Sequence, residues 1–343
     1  MTSSPGALMR AEIEEQPAAL QRLLDARGDI AAIAEEVRRR DIRFVLLAAR
    51  GSSDHAALYA KYLIETVLGL PCGLASMSSI TAYRTGQSYA GVLWVAVSQS
   101  GGSPDLREAT RVARDSGALT LAVTNDPRSP LAAETELHLD IRAGVERSVA
   151  ATKTYTNELL ALWLFVDALA GRDGSAVAGV PDAVARAVRD SDVEEVVSRY
   201  RFAERLVTVG RGFSYPTARE GALKLMETCH LAASAFSGAD LLHGPVAHVD
   251  GATPVMVIGP GGAGSQLLRP VVDALVERGA DVTLVRGSAD DLPGYAVQVP
   301  DVPEELTPLV QIVPLQLIAL ELALSKGLDP DRPSGLSKVT KTL

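Results

Sequence analysis

Two tandem α/β domains, each a parallel sheet flanked by helices, are what this sequence predicts, and three observations predict them. Apolar runs of five to seven residues alternate with longer helical patterns. The runs are apolar throughout, as strands covered on both faces are, and lack the apolar–polar alternation of half-exposed strands. The second half of the chain then repeats the order of the first.

Taken in order, an acidic helix over about Met9–Asp25 opens the chain. Arg43–Ala49 is the first apolar run and ends in Gly51-Ser52-Ser53; an amphipathic segment to Leu68 follows it. Val92–Val97 ends in Ser98-Gln99-Ser100-Gly101-Gly102-Ser103 before a helical pattern to Ser116. Leu119–Thr124 ends in Asn125-Asp126. In the second half, Arg205–Val209 ends in Gly210-Arg211-Gly212 and a helix runs to Glu227. Pro254–Ile258 ends in Gly259-Pro260-Gly261-Gly262-Ala263-Gly264-Ser265, a helix reaches Gly279, and Asp281–Val285 is the next strand. The stretches RFVLLAARGSS…YLIET and RLVTVGRGFSY…KLMET are copies offset by about 161–162 residues. The expected division is an N-terminal helix (1–29), a first domain (30–170), a linker helix (171–197), a second domain (198–330) and a tail (331–343).

Composition narrows the function classes. At 343 residues the chain exceeds one ordinary core. Its formal net charge is −9 and it has no run of Lys and Arg, so no nucleic-acid partner is expected, because phosphate-backbone binding needs a basic face. Cys72 and Cys229 stand far apart with no CxxC spacing, which points to reduced thiols. The N-terminus shows no apolar signal region, and a cytoplasmic location is expected. Val310–Leu324 is interrupted by Gln311, Pro314, Gln316 and Glu321, which reads as a core helix and not a membrane span. No metal or organic cofactor is indicated: there is no HExxH and no Cys/His cluster.

The two strand-end loops of the first half carry the first chemistry. In open α/β sheets ligands sit beyond the carboxyl ends of the strands. There, glycines let the backbone approach an anion, helix N-termini offer N–H groups, and serine hydroxyls add donors. No GKS/T follows, so a monophosphate fits better than ATP. The competing reading is that these serines and glycines only cap helices and make turns.

In the second half, Glu220, Lys224 and Glu227 fall at i, i+4 and i+7, on one face of a helix. Ala222, Leu223, Leu225 and Met226 are expected to form its buried side. Such a face is ordinarily a solvated, salt-bridged surface, but this helix leaves a strand's carboxyl end, where a site is expected. His243, on a Gly-Pro turn, is of the residue type that moves protons near neutral pH.

ARGSS (49–53), SQSGGS (98–103), ATKTYT (151–156), GRGFSYPTAREGALKLMET (210–228) and HGP (243–245) resemble the SIS (sugar isomerase) domain family. More narrowly, the chain is similar to the paired SIS domains of glucosamine-6-phosphate synthases and to SIS-type glucosamine-6-phosphate deaminases. The resemblance implies flavodoxin-like three-layer sandwiches. It implies that Ser52, Ser53, Ser98, Gln99, Ser100 and Ser103 hold a sugar phosphate, with the backbone of Val149 and Ala150 lining the pocket. Glu227 corresponds to the carboxylate that shuttles a proton between C1 and C2, with Glu220 and Lys224 in support. His243 corresponds to the ring-opening histidine that reaches a partner subunit's site, which implies a homodimer. Lys338 corresponds to the lysine that forms a Schiff base with the open-chain ketose.

The chain departs from the synthases in having Leu242 where they have a lysine and Ala151 where they have a serine. No glutaminase cysteine precedes Cys72, so glutamine-dependent amination within this chain is not expected and the degradative direction is. The leading expectation is therefore isomerisation and deamination of glucosamine-6-phosphate to fructose-6-phosphate and ammonia. The alternatives are a dehydratase (lyase) that expels the 3-hydroxyl of N-acetylglucosamine-6-phosphate through the same C2 carbanion, and a non-enzymatic sugar-phosphate sensor.

Overall fold

The computed structural model describes residues 4–288 and 292–338, with the backbone alone at Ala263. Three helices come first, α1 (Ala7–Glu14), α2 (Gln16–Asp25) and α3 (Arg27–Arg38). They are followed by β1 (Phe44–Ala48), α4 (Ser52–Leu63), β2 (Cys72–Leu74), α5 (Met77–Thr81), β3 (Val92–Val97), α6 (Pro104–Asp115), β4 (Leu119–Thr124), α7 (Pro130–Glu134), β5 (Leu137–Asp140) and α8 (Lys153–Leu169). The second half runs α9 (Val180–Asp190), α10 (Glu194–Tyr200), β6 (Arg205–Gly210), α11 (Ser214–Cys229), β7 (Ala232–Ser237), α12 (Gly238–Leu242), β8 (Pro254–Ile258), α13 (Gly262–Glu277), β9 (Asp281–Arg286), β10 (Tyr295–Gln298) and α14 (Thr307–Ser325). The single helix expected over Met9–Asp25 is broken at Glu15, because Pro17 has no N–H to continue the α1 ladder and instead begins α2.

Both sheets are wholly parallel. The first has the order β2-β1-β3-β4-β5; the second, read from its β7 edge, is β7-β6-β8-β9-β10, the same order one copy later. The central strands β3, β4 and β8 are buried almost throughout, which explains why they read as continuous apolar runs. In the first sheet, Trp94 packs edge-on against Tyr89 at 5.7 Å, and its indole N–H donates to Thr110 Oγ1 at 3.0 Å. In the second, Val207, Val209, Val255 and Val257 pack against Leu268, Val271 and Leu275 of α13.

The chain clusters into two compact units. One comprises Ala18–Glu146, Lys153–Ala178 and tail residues 337–338; the other comprises residues 4–17, Arg147–Thr152 and Gly179–Leu336. This division differs from the expected one of an independent N-terminal helix and a linker. In the second-half unit, Asp331 accepts from the first amides of α1, Leu8 N–H at 2.9 Å and Met9 N–H at 2.8 Å, and Arg10 pairs with Glu321. The expected linker residues form α9 and α10, which pack on α14.

By length and composition, Glu304–Ser325 is apolar enough to cross a membrane, yet 83% of its apolar 18-residue window is buried inside the molecule. Its polar residues have partners in the same unit. Gln311 donates to Gly259 O and accepts from Ser214 Oγ, and Gln316 Oε1 accepts from Gln16 Nε2 at 2.9 Å. α14 is the central helix of its unit.

Candidate functional site

Adjacent strands β1 and β3 run in register up to Ala48↔Ala96, so their carboxyl-terminal loops emerge side by side. Ser52 and Ser53 head α4, and Ser103 is the N-cap of α6. Within the second loop, Ser98 Oγ accepts from Gly101 N–H at 3.2 Å and Ser100 Oγ from Gly102 N–H at 3.3 Å. An oxygen that accepts keeps its own proton, so both hydroxyls remain donors for an anion. Gln99 is fixed through its carbonyl, which takes Asn125 N–H at 3.0 Å. Gly101 is required here: its φ is +59°, and a Cβ would come within 2.4 Å of Ser129 Oγ.

Two features of this cradle were not visible in the sequence. Arg50, at the end of β1, pairs with buried Asp105 in the first turn of α6 at 3.0 Å, which ties the two loops together. Ser53 corrects an expectation. Its hydroxyl proton goes inward to Glu158 Oε1 of α8 at 2.8 Å, so at this position only the backbone N–H, at the start of α4, is left to face an anion.

The second half holds the carboxylates. On α11 the structure corrects the expected faces in part: Ala222 and Leu225 are buried as expected, but Met226 is 43% exposed, while the Glu220 and Lys224 side chains are fully buried and Glu227 is 23% exposed. The charged stripe therefore faces inward, on a helix packed against β6, β7 and α14. Lys224 Nζ lies 2.5 Å from Glu227 Oε2 and 3.3 Å from Glu220 Oε1. Burial by itself pushes the lysine's pKa down, but the two carboxylates outweigh it and hold the pKa above the ordinary lysine value. Lys224 is thus a fixed ammonium. Its contact with Glu227 is made through Oε2.

His243 follows α12 on an exposed turn closed by Gly244 (φ +135°), and its N–H donates to Asp240 O at 3.1 Å. Leu242 beside it is exposed. Val149 and Ala150 belong to the short segment Arg147–Thr152, whose first amides, Arg147 N–H and Ser148 N–H, donate to Glu12 of α1. Lys338, in the first-half unit, is paired with the buried carboxylate of Glu146 at 2.6 Å. No local pattern could have revealed that partner, 192 residues away.

In the second half, the loop equivalent to Ser98–Ser103 is already occupied by a carboxylate. Gly264 N–H, in the first turn of α13, donates to Glu304 Oε1 at 3.1 Å. A Cβ on Gly262 (φ +57°) would collide with Glu304 Oε2, so glycine is what allows this approach. Cys72 and Cys229 are buried, and burial pushes their pKa values to about 12 and about 11, so neither is a nucleophile near neutral pH. Among the described residues, no three His, Cys, Asp or Glu side chains converge as a metal site.

A sequence profile of the SIS domain matches residues 40–168 and 200–326. The chain belongs to the SIS domain family. It is 36% identical over 340 residues, 96% of its length, to a glutamine–fructose-6-phosphate aminotransferase (isomerizing) of Methanothermobacter thermautotrophicus, of which it covers 56%. To the Escherichia coli protein of the same description it is 30% identical over 356 residues, covering 58% of that protein. The chain thus spans about half the length of the curated relatives it matches, and it is homologous to their SIS half. Among solved structures, a candidate phosphosugar isomerase from Silicibacter pomeroyi superposes with a TM-score of 0.88 at 38% identity, over 94% of this chain and 99% of that one. The C-terminal domain of a glucosamine-fructose-6-phosphate aminotransferase from Francisella tularensis gives 0.84 at 27% identity, over 94% and 97%. A glucosamine-6-phosphate deaminase from Thermotoga maritima shares the fold, with a TM-score of 0.75 at 22% identity over 98% and 100%.

Proposed function

We propose that this SIS protein isomerises and deaminates glucosamine-6-phosphate to fructose-6-phosphate and ammonia. The observation that carries the reading is the inward charged face of α11. Two fully buried charged side chains beside a partly exposed carboxylate are costly to fold. They make sense if Glu227 must be held at a fixed place and in a fixed environment to exchange a proton. In this reading Ser98, Gln99, Ser100 and Ser103, with the amide of Ser53 and with Ser52, grip the phosphoryl group. The backbone of Val149 and Ala150 lines the sugar pocket. Glu227 takes the C2 proton and returns one to C1, with Lys224 and Glu220 fixing its position. Lys338 condenses with the open-chain ketose, and His243 of a second copy opens the ring, which supposes a homodimer. A phosphate anchor remote from the reacting carbons supplies binding energy that orients them.

The test is incubation with glucosamine-6-phosphate in deuterated water, following ammonia, ketose phosphate and deuterium at the sugar carbons. Wild type should form all three products. Glu227→Gln should lower every rate by roughly 10²–10⁴-fold while the protein still binds the substrate. Loss of water from N-acetylglucosamine-6-phosphate, with no ammonia from the free amine, would replace this reading with elimination.

A further inference from the structure

Glu146 lies between β5 and α8 with its side chain fully buried. Its Oε1 accepts Thr154 N–H at 3.1 Å, in the first turn of α8, and its Oε2 accepts the Thr154 hydroxyl at 2.6 Å. The same Oε2 takes the Lys338 ammonium at 2.6 Å. A hydroxyl, an amide and the positive end of a 17-residue helix already give this carboxylate strong partners. Lys338, by contrast, is drawn out of solvent to 24% side-chain exposure, in a stretch after α14 that forms no helix or strand among the described residues. Ordering a long side chain on such a segment is entropically unfavourable, and drawing its ammonium to a buried carboxylate also costs solvation. The contact therefore makes more sense for what it does to the lysine than for what it does to the fold.

We infer that Glu146 is the positioning residue of Lys338 and the acceptor of its ammonium proton, which frees the amine to condense with the carbonyl of an open-chain ketose phosphate. The inference rests on reading Lys338 as the Schiff-base amine. The step balances without any further reactant. One proton passes from Nζ to Glu146 Oε2, leaving a neutral amine and a carboxylic acid. The nitrogen lone pair forms the N–C bond to the carbonyl carbon as the C=O π pair moves to oxygen. Glu146 delivers its proton to that oxygen and takes a second proton from nitrogen. It then protonates the hydroxyl, which leaves as water, while nitrogen closes the protonated imine and Glu146 is again a carboxylate. Thr154 holds the carboxylate still while its charge comes and goes.

The experiment traps the adduct: full-length protein, fructose-6-phosphate and borohydride, with the rate of covalent labelling of Lys338 read by mass. Lys338→Ala is the blank. Glu146→Gln keeps the shape and an oxygen for Thr154 but cannot take a proton. Its labelling should slow by roughly 10²-fold and become dependent on buffer concentration at fixed pH, because deprotonation passes to dissolved bases. Glu146→Asp keeps a carboxylate, withdrawn by one methylene; it should label more slowly than wild type yet stay independent of buffer, and it carries the test if the glutamine variant does not fold. Labelling of Glu146→Gln within twofold of wild type overturns the inference, as does a loss without buffer dependence or an aspartate variant that behaves like the glutamine one. Wild type that forms no adduct at Lys338 overturns it as well. Glu227-dependent deuterium exchange in the same samples then decides separately whether the proposed reaction stands.

Discussion

The two halves share one strand order and have exchanged the places of their charges. In the first, the helix after the opening strand is α4, which buries Ala56, Ala57, Ala60 and Leu63, and the loop after the next strand ends in hydroxyls. In the second, the equivalent helix α11 buries Glu220 and Lys224, and the equivalent loop is filled by Glu304. Both α6 and α13 begin at strand ends where exposed N–H groups favour an anion. The second half satisfies that preference with its own carboxylate. In the first half the nearby acid, Asp105, is matched by Arg50, and the serine loop stays open to a ligand. Under the proposed function, one backbone plan supports a grip in one copy and acid–base chemistry in the other, and a few side chains make the difference.

Removing a charge from each equivalent helix tests the contrast with the largest expected effect. Lys224→Met leaves Glu220 and Glu227 facing one another in the interior, and unfolding by urea should show a loss of about 3–5 kcal/mol. Lys61 on α4 also pairs with a glutamate one turn away, Glu65, but near the surface; Lys61→Met should cost no more than about 0.5 kcal/mol. The sign with pH follows from the raised pKa of Lys224. Its stabilising charge is complete below the ordinary lysine value of about 10.4 and is lost as pH rises through the higher folded-state value, so the gap between wild type and Lys224→Met should close only in strong alkali. Equal losses in the two lysine variants at neutral pH would refute the contrast.

That inward face marks where reading the sequence stopped. The i, i+4, i+7 spacing put the three charges on one side of α11, but spacing alone does not say which side of a helix faces the interior. The expected buried side held for Ala222 and Leu225 but not for Met226, because α14, far downstream, packs against the face that carries Gly221 and Thr228. The six interior strands were legible, since burial on both faces forces continuous apolar runs. The four missed strands, β2, β5, β7 and β10, are the sheet edges. They are short or partly exposed, and Leu137-His138-Leu139-Asp140 and Tyr295-Ala296-Val297-Gln298 carry polar residues that dilute the pattern. The serine loop was legible because glycine and hydroxyl positions are local. Arg50–Asp105, Ser53–Glu158 and Glu146–Lys338 were not, because each joins residues distant in sequence.

A smaller effect is expected at the open loop. Ser100→Ala removes one hydroxyl from the proposed phosphate grip. A hydrogen bond to a charged group is worth about 1.5–3 kcal/mol, so the dissociation constant for a hexose 6-phosphate measured by calorimetry should rise roughly 10- to 100-fold. Binding of the same sugar without its phosphate should not change. If both ligands weaken equally, the loop serves the sugar or the fold, and the assignment of the grip to this half fails.

The smallest effect tests the filled loop. Glu304→Ala strips the carboxylate from the first turn of α13, where Gly264 N–H now donates to it. The unmatched helix end should cost about 0.5–1.5 kcal/mol, the range for one hydrogen bond together with a helix-end charge. The stability loss alone would not distinguish an anion substitute from an ordinary contact, so inorganic phosphate is the deciding additive. If Glu304 stands where an anion would otherwise bind, phosphate should recover part of the lost melting temperature in Glu304→Ala, beyond any shift it causes in wild type, while chloride at matched ionic strength should not. Gly262→Ala on top of that variant should then abolish the recovery, because a Cβ at φ +57° is strained and fills the approach that Glu304 uses. Equal phosphate shifts in wild type and Glu304→Ala would mean that the second loop lost its anion preference with its hydroxyls, and that Glu304 only fills space.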